Sequence, residues 1–268
     1  MPDPIYLATA VEIVLRAGDI QREGQASGFR VAKKGSIDLV TEVDLACERM
    51  CRDLLAERFP DHDVLAEEGG ARSAAPGARV RWLVDPLDGT TNFAHNYPFF
   101  AVSIAAERDG ERVAAVVFDP VRDELFAAAR GEGATRNGEP IQVSACARLE
   151  DALLVTGFPY DVREHPDRHV PLFQAFLVRA QGIRRDGSAA LNLAYVAMGR
   201  FDGMWEGNLA PWDVAAGSLL VEEAGGRMSV YDGGPFRVDG RQVCGANPRL
   251  HALLLERIAA HPEAHRRA

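Results

Sequence analysis

"RWLVDPLDGTTNF", residues 81–93, runs from an apolar, strand-like stretch straight into two aspartates, a glycine and two threonines. An unpaired carboxylate is costly to bury, so Asp85 and Asp88, placed where a buried strand ends, call for a cation or hydrogen-bond donors. The loop is either an ordinary solvated turn or a seat for something positive. Pro86 and Gly89 force a tight turn in which both aspartates face one point, with the Leu87 carbonyl between them. Two carboxylates and a carbonyl are hard oxygen ligands, suited to magnesium or manganese. Directly after them, Gly89, Thr90 and Thr91 offer backbone amides at a predicted helix N-terminus, a position that favours phosphate. Metal ligands beside a phosphate cradle suggest metal-assisted phosphoryl chemistry.

Working outward, residues 4–22 place Leu7, Ala8, Val11, Val14 and Leu15 on one helical face. A second helix follows Thr41, where Thr41 and Asp44 resemble a capping box, and Val43, Ala46, Cys47, Met50 and Leu54 form its apolar stripe. Pro60 and Asp61 end it, and "DVLAEEGG" reads as a short strand entering a loop. From residue 80 the period changes to that of strands: "VRWLVDP", "FFAVSIAAERDG", "ERVAAVVFDP" and "DELFAAARG". "RDGE" at 108–111 is a hairpin signal, and "TRNGEPIQVS" adds a turn and a strand. Beyond about residue 150, strands and helices alternate. "LLVTGFP" is strand-like, and residues 167–180 carry Val170, Phe173, Phe176 and Leu177 at helical spacing. "GIRRDG" leads into the helix "SAALNLAYVAMG", and "PWDVAAGSLLVEEAGG" is a helix closed by a glycine pair. The expected organisation is one layered unit over 1–268, softly divided into 1–150 and 151–268.

The chain of 268 residues is 47% hydrophobic and 26% charged, as in an ordinary globular protein. A formal net charge of −9 gives no general attraction to nucleic acid or an anionic membrane, so neither is expected as a partner. Metal ions would have to reverse the local sign for an anionic substrate. The four cysteines, Cys47, Cys51, Cys146 and Cys244, form no CxxC pair, and Cys47 and Cys51 read as core. With no signal-peptide pattern at the start and no membrane-length apolar run, the expected compartment is the cytoplasm.

Carboxylates recur at the punctuation points of this pattern: Asp38, Asp44, Glu67, Glu68, Asp85, Asp88 and Asp213. Singly, each has a bland explanation. Asp44 caps a helix, Glu67 and Glu68 occupy a solvated loop, and Asp213 complements a helix dipole. Together with "DPLDGTTN" they form a constellation. "LAEEGG", "WLVDPLDGTTNF" and "PWDVAAGSLLVEEAGG" resemble the three signature segments of the inositol monophosphatase family. "DLVTEVD" and "RRDGSAALNLAYVAMGRFDGMWE" match its intervening motifs in order and spacing, so the resemblance spans nearly the whole chain.

The resemblance implies an α/β fold, an αβαβα layered sandwich like that of the sugar-bisphosphate phosphatases. It also implies that Glu67, Asp85 and the Leu87 carbonyl hold one magnesium and that Asp85, Asp88 and Asp213 hold a second. A third, weaker magnesium leans on Glu67, and manganese is an acceptable substitute. Gly89 and Thr90 would bind phosphate, and Gly187, Ser188 and Ala189 with Glu206 would line the substrate's ring hydroxyls. Asp38, Asp44 and Glu68 match acidic positions around the site. The resemblance further implies a homodimer and inhibition by lithium.

A phosphate monoester dianion repels a water nucleophile unless cations screen it. Glu67 and the Thr90 hydroxyl are the pair expected to orient and activate that water, with Asp44 in support. The expected substrate is myo-inositol 1-phosphate or a close polyol or sugar phosphate. Relatives hydrolyse fructose 1,6-bisphosphate, histidinol phosphate or 3′-phosphoadenosine 5′-phosphate on the same core, and some bacterial ones are implicated in RNA polymerase and ribosomal RNA control. His95 and the pair Arg184–Arg185 carry weaker signals, read chiefly as surface features, and Trp82, Trp205 and Trp212 read as core or rim packing.

Overall fold

Helices α1 (Pro4–Ser27) and α2 (Glu42–Arg58) flank an antiparallel pair, β1 (Val31–Lys33) and β2 (Leu39–Thr41), in a computed structural model that describes residues 4–35, 38–73 and 77–265. α1 continues past residue 22 because nothing breaks it before Gly28, which adopts φ +85°. Its buried face overlaps the expected one at Val14, with Leu7 and Val11 partly buried against the same core, and is otherwise rotated. Ala10, Ile13, Val14 and Ala17 are buried, whereas Ala8 and Leu15 are exposed. Small residues decide this: a Cβ on Gly18 would stand 2.4 Å from the Phe118 ring, so the helix lies close against the sheet on that side.

The capping box at Thr41 is formed. Thr41 Oγ1 accepts from the amides of Val43 and Asp44, and the Asp44 carboxylate accepts from the Thr41 amide at 3.0 Å. On α2 the expected stripe is buried at Val43, Cys47 and Leu54, while Ala46 is exposed and Cys51 and Leu55 complete the face.

The next elements are β3 (Asp63–Ala66), β4 (Gly70–Arg72), β5 (Val80–Asp88), the short helix α3 (Thr90–Ala94), β6 (Ala101–Arg108), β7 (Glu111–Asp119), β8 (Glu124–Ala129), β9 (Ala134–Arg136) and β10 (Glu139–Pro140). Their strands form an eight-stranded sheet in the order β10-β9-β8-β7-β6-β5-β3-β4. β3 and β5 are parallel, and the other pairs are antiparallel. Asp109 and Gly110 take positive φ in the hairpin turn that "RDGE" predicts. The strand expected after Asn137–Gly138 is cut to Glu139–Pro140, since Pro140 brings no amide to a ladder.

The second sheet uses β11 (Leu153–Thr156), β12 (Gly182–Arg184), β13 (Gly203–Gly207), β14 (Arg227–Ser229) and β15 (Gln242–Ala246), in the order β12-β11-β13-β15-β14. Between and after them lie α4 (Pro166–Leu177), α5 (Ala189–Ala197), α6 (Pro211–Glu223) and α7 (Pro248–Ala259). On α4 the buried positions are Leu172 and Phe176, whereas Val170 and Leu177 are exposed.

Three apolar interfaces stack these elements. Ile13, Ala17, Cys47 and Leu55 of α1 and α2 meet Trp82, Val84, Ile104 and Val116 on one face of the large sheet. On its other face, Leu83, Ala105 and Val117 meet Leu191, Leu193, Leu219 and Leu220 of α5 and α6, which also cover Val155, Met204 and Val243 of the small sheet. Leu172, Phe176, Leu250 and Leu254 of α4 and α7 close the far side over Leu154, Trp205 and Cys244. The result is the αβαβα sandwich. Trp82 and Trp205 are core, and Cys47 and Cys51 are buried free thiols.

Candidate active site

Pro86 sets the geometry of the centre. Having no amide, it cannot join the ladder to β6, and the register shifts from Asp85↔Ser103 to Asp88↔Ala101 around it. The bulge turns Asp85, Leu87 and Asp88 toward a cleft of about 360 Å³, where the starts of α3, α5 and α6 and the end of β13 meet. Glu67, Asp85, Leu87, Asp88 and Asp213 all line it, as do Gly89, Thr90, Gly187, Ser188, Ala189 and Glu206. Asp38 reaches the same wall.

Each carboxylate has a local reason to be where it is. Asp85 Oδ1 accepts the Leu87 amide at 3.0 Å. Asp213, in the first turn of α6, accepts the Ala210 amide at 2.7 Å, so its capping role and its place in the cleft coincide. Asp88 accepts the Ser188 hydroxyl and the Ala190 amide, both at 2.6 Å, which ties β5 to the start of α5. Close packing of the middle helices brings these starts together: a Cβ on Gly217 of α6 would stand 2.5 Å from Leu193 Cβ of α5.

These groups are held out of water beside one another, which favours their protonated forms. Burial, then the charges of Glu67, Asp88 and Asp213, raises Asp85 well above the usual carboxylate range. Burial and Asp88 do the same to Asp213. Burial lifts Asp88 to about 6 against the bonds from Ser188 and the α5 amides, and it lifts Glu67 to about 7 against the nearby Lys34. The Lys34 ammonium bonds Glu67 at 3.0 Å and also Glu68. Although burial opposes it, these bonds hold Lys34 above its ordinary pKa. Glu68 thus stands behind the cleft wall, in contact with the lysine.

Thr90 links the start of α3 to α2. Its Oγ1 lies 2.9 Å from Asp44 Oδ1 and 3.1 Å from the Leu87 carbonyl. Asp44 is fully buried behind Thr90, and burial raises its pKa despite the bonds from Thr41 and Thr90. Gly89 takes φ +98° as N-cap of α3, a conformation that favours glycine, and an added Cβ would meet the Phe99 carbonyl at 3.0 Å. The first amides of α3 have no partner within the helix, and Thr90, Thr91 and Asn92 line the cleft.

The outer part of the cleft is built on Glu206, which is 8% exposed. Burial, with Asp88 adding to it and Arg185 opposing, pushes its carboxyl up to about 8. Gly157 admits it: a Cβ there would lie 1.9 Å from Glu206 Oε1. Phe158, Pro159 and Tyr160 continue this wall, and Tyr160 is 57% exposed.

Every residue singled out for metal, phosphate or hydroxyl contact therefore lines one cleft, with Asp44 directly behind it. Sequence reasoning missed Lys34, Gly157, Tyr160 and Asn192. Asn192 lines the cleft one turn into α5, and its buried Oδ1 has no partner. The only advance signals were a lysine before "DLVTEVD" and a glycine closing the strand "LLVTG". Trp212 and Arg185 are rim residues, whereas His95 and Arg184 lie outside the cleft lining.

The donor set fits hard divalent cations. It consists of carboxylates and a carbonyl, and its members raise one another's pKa for want of positive charge. Among the described residues no three Asp, Glu, His or Cys side chains already close round one point. Local bonds to Leu87, Ala210, Ser188 and Lys34 hold the carboxylates individually.

The chain is a layered α/β sandwich with an acidic cleft at the starts of α3, α5 and α6. The chain belongs to the inositol monophosphatase family, whose model matches residues 5–263. It is 43% identical over 259 residues to the inositol-1-monophosphatase of Synechocystis, covering 96% of this chain and 90% of that one. It is 44% identical over 234 residues to the Nus factor SuhB of Pseudomonas aeruginosa, covering 86% of each. The solved inositol monophosphatase of Anabaena superposes with a TM-score of 0.88 at 40% identity, covering 98% of both chains. No helix among the described residues is long and apolar enough to cross a membrane.

Proposed function

We propose that this chain is a magnesium-dependent phosphomonoesterase that releases phosphate from myo-inositol 1-phosphate or a close polyol phosphate. The observation that carries the reading is the gathering of Glu67, Asp85, Asp88 and Asp213 in one cleft beside the start of α3, where each raises the need for a cation. Glu67, Asp85 and the Leu87 carbonyl would hold one cation, and Asp85, Asp88 and Asp213 a second. A third would lean on Glu67. Bound there, the cations would neutralise the phosphate dianion and acidify the attacking water.

The chain's own groups divide the remaining work. Thr90 Oγ1 gives its proton to Asp44 and keeps lone pairs free to accept from water. Asp44, buried and raised, is the acceptor behind it. Glu67 orients the same water from the β3 side. Amides of Gly89 and Thr90 hold the phosphate. Gly187, Ser188, Ala189 and Glu206 face the hydroxyls of the leaving alcohol, and Glu206 can both donate and accept near neutral pH.

A phosphate-release screen with Mg2+ over inositol 1-phosphate, fructose 1,6-bisphosphate, histidinol phosphate and 3′-phosphoadenosine 5′-phosphate tests the reading. Highest kcat/KM on inositol 1-phosphate is expected, and preference for a nucleotide would refute the substrate class. Manganese as a partial substitute, lithium inhibition in the millimolar range and a homodimer by light scattering belong to the same proposal, as does a cytoplasmic location. A relative named Nus factor SuhB supports a regulatory role as the second reading. The complete carboxylate set and the net charge of −9 favour the phosphatase.

A further inference from the structure

Helix α1 contributes nothing to the cleft wall, yet two of its side chains reach the loop that carries the site. Gln21 is fully buried, and its Nε2 donates to the Pro86 carbonyl at 2.8 Å. The Ala101 carbonyl, opposite Asp88 across the bulge, lies 3.5 Å from the same nitrogen. One turn further on, Gln25 Nε2 donates to the Phe93 carbonyl in α3 at 3.0 Å. Gly24 between them lets α1 pack closely on α2, since a Cβ there would stand 2.5 Å from Val43 Cγ2.

Pro86 is the residue at which β5 leaves its ladder, so its carbonyl needs a donor from elsewhere. Gln21 supplies it and thereby fixes the peptide between Asp85 and Leu87, the two residues proposed to share a cation. The amide orientation is dictated by its surroundings, because Nε2 faces two carbonyls. The cost is visible at the other end: Gln21 Oε1 is buried without a partner. A side chain kept only for packing would be better apolar here. We propose that Gln21 is a positioning residue that presets the Asp85–Leu87 segment for its cation, with Gln25 holding the following helix from the same face of α1.

This inference rests on the metal-dependent reading above, and the test separates the two. Mg2+ binding to the whole chain is measured by titration calorimetry, with thermal melting in metal-free buffer, for the parent and Gln21→Met. The methionine keeps the shape and removes both the donor and the orphaned acceptor. The Kd for Mg2+ should rise about three- to tenfold, as loss of one such bond implies, together with a metal-free Tm lowered by no more than several °C, because the Pro86 carbonyl loses its donor. Unchanged Kd, or a fall in Tm with unchanged Kd, overturns the positioning role and leaves the metal reading intact. A parent that binds no Mg2+ overturns both. If Gln21→Met does not fold, Gln21→Asn, whose amide stops one methylene short of Pro86, is judged by the same two results.

Discussion

Thr90 Oγ1 stands 2.9 Å from Asp44 Oδ1, joining the start of α3 to the first turn of α2 across 46 residues of chain. The same aspartate completes the Thr41 capping box, so one buried carboxylate both anchors a helix and backs the hydroxyl on the cleft wall. Asp44→Asn keeps the shape and part of the cap but weakens the proton acceptor. It should lower kcat by about 10²- to 10⁴-fold, the usual worth of a general base, while Tm changes by only a few degrees. Steady-state kinetics beside a thermal melt checks this, and unimpaired kcat would assign Asp44 to the fold alone.

Glu206 occupies space that Gly157 leaves open. Gly157→Ala should push the carboxylate aside and reproduce the defect of Glu206→Ala, about ten- to a hundredfold in kcat/KM on inositol 1-phosphate. On glycerol 2-phosphate both variants should lose much less. Equal losses on the two substrates would show that Glu206 serves the metal region or the fold.

The acidic cluster makes stability pH-dependent in a direction opposite to that of a salt-bridged carboxylate. Glu67 moves from an ordinary 4.5 to about 7 and Glu206 from 4.5 to about 8. Between those values the native chain binds more protons than the unfolded one, so metal-free stability falls as pH rises from about 4.5 to about 8. Mg2+ competes with those protons, so the rise in Tm that it causes should be larger at pH 8 than at pH 6. Asp85→Asn, which removes one buried like charge, should raise the metal-free Tm at pH 8. Melts with EDTA and with Mg2+ at the two pH values decide, and a Mg2+ effect larger at pH 6 would contradict the electrostatics.

Packing of the middle layer is testable apart from chemistry. Gly217→Ala places a methyl 2.5 Å from Leu193 Cβ, so α5 and α6 must separate. A loss of about 1–3 kcal/mol in chemical denaturation is expected from overpacking. A neutral result would show that the two helices yield at this contact.

The site was legible where chemistry is local in sequence. "DPLDGTTN" shows strand end, turn and helix start within one stretch, and Thr41–Asp44 is a short-range cap, so both appear in the structure as read. The resemblance added the distant members Glu67, Ser188, Glu206 and Asp213. Contacts between remote segments that no motif encodes stayed hidden. Lys34 meets Glu67 across 33 residues and Gln21 meets Pro86 across 65, and neither leaves a periodic trace. On α1, Val14 is buried and Leu7 and Val11 pack against the core as expected, but Leu15 is exposed because the close approach at Gly18 favours the smaller side.

The most direct measurement is Mg2+-dependent phosphate release from myo-inositol 1-phosphate by the parent and by Asp85→Asn. The parent should turn over with Mg2+ and stop with EDTA, and the variant, folded by its melt, should lose on the order of a thousandfold or more, as removal of a central electrostatic group does. Turnover that survives EDTA, or an Asp85→Asn rate near the parent's, would contradict a metal-dependent phosphatase built on this cleft.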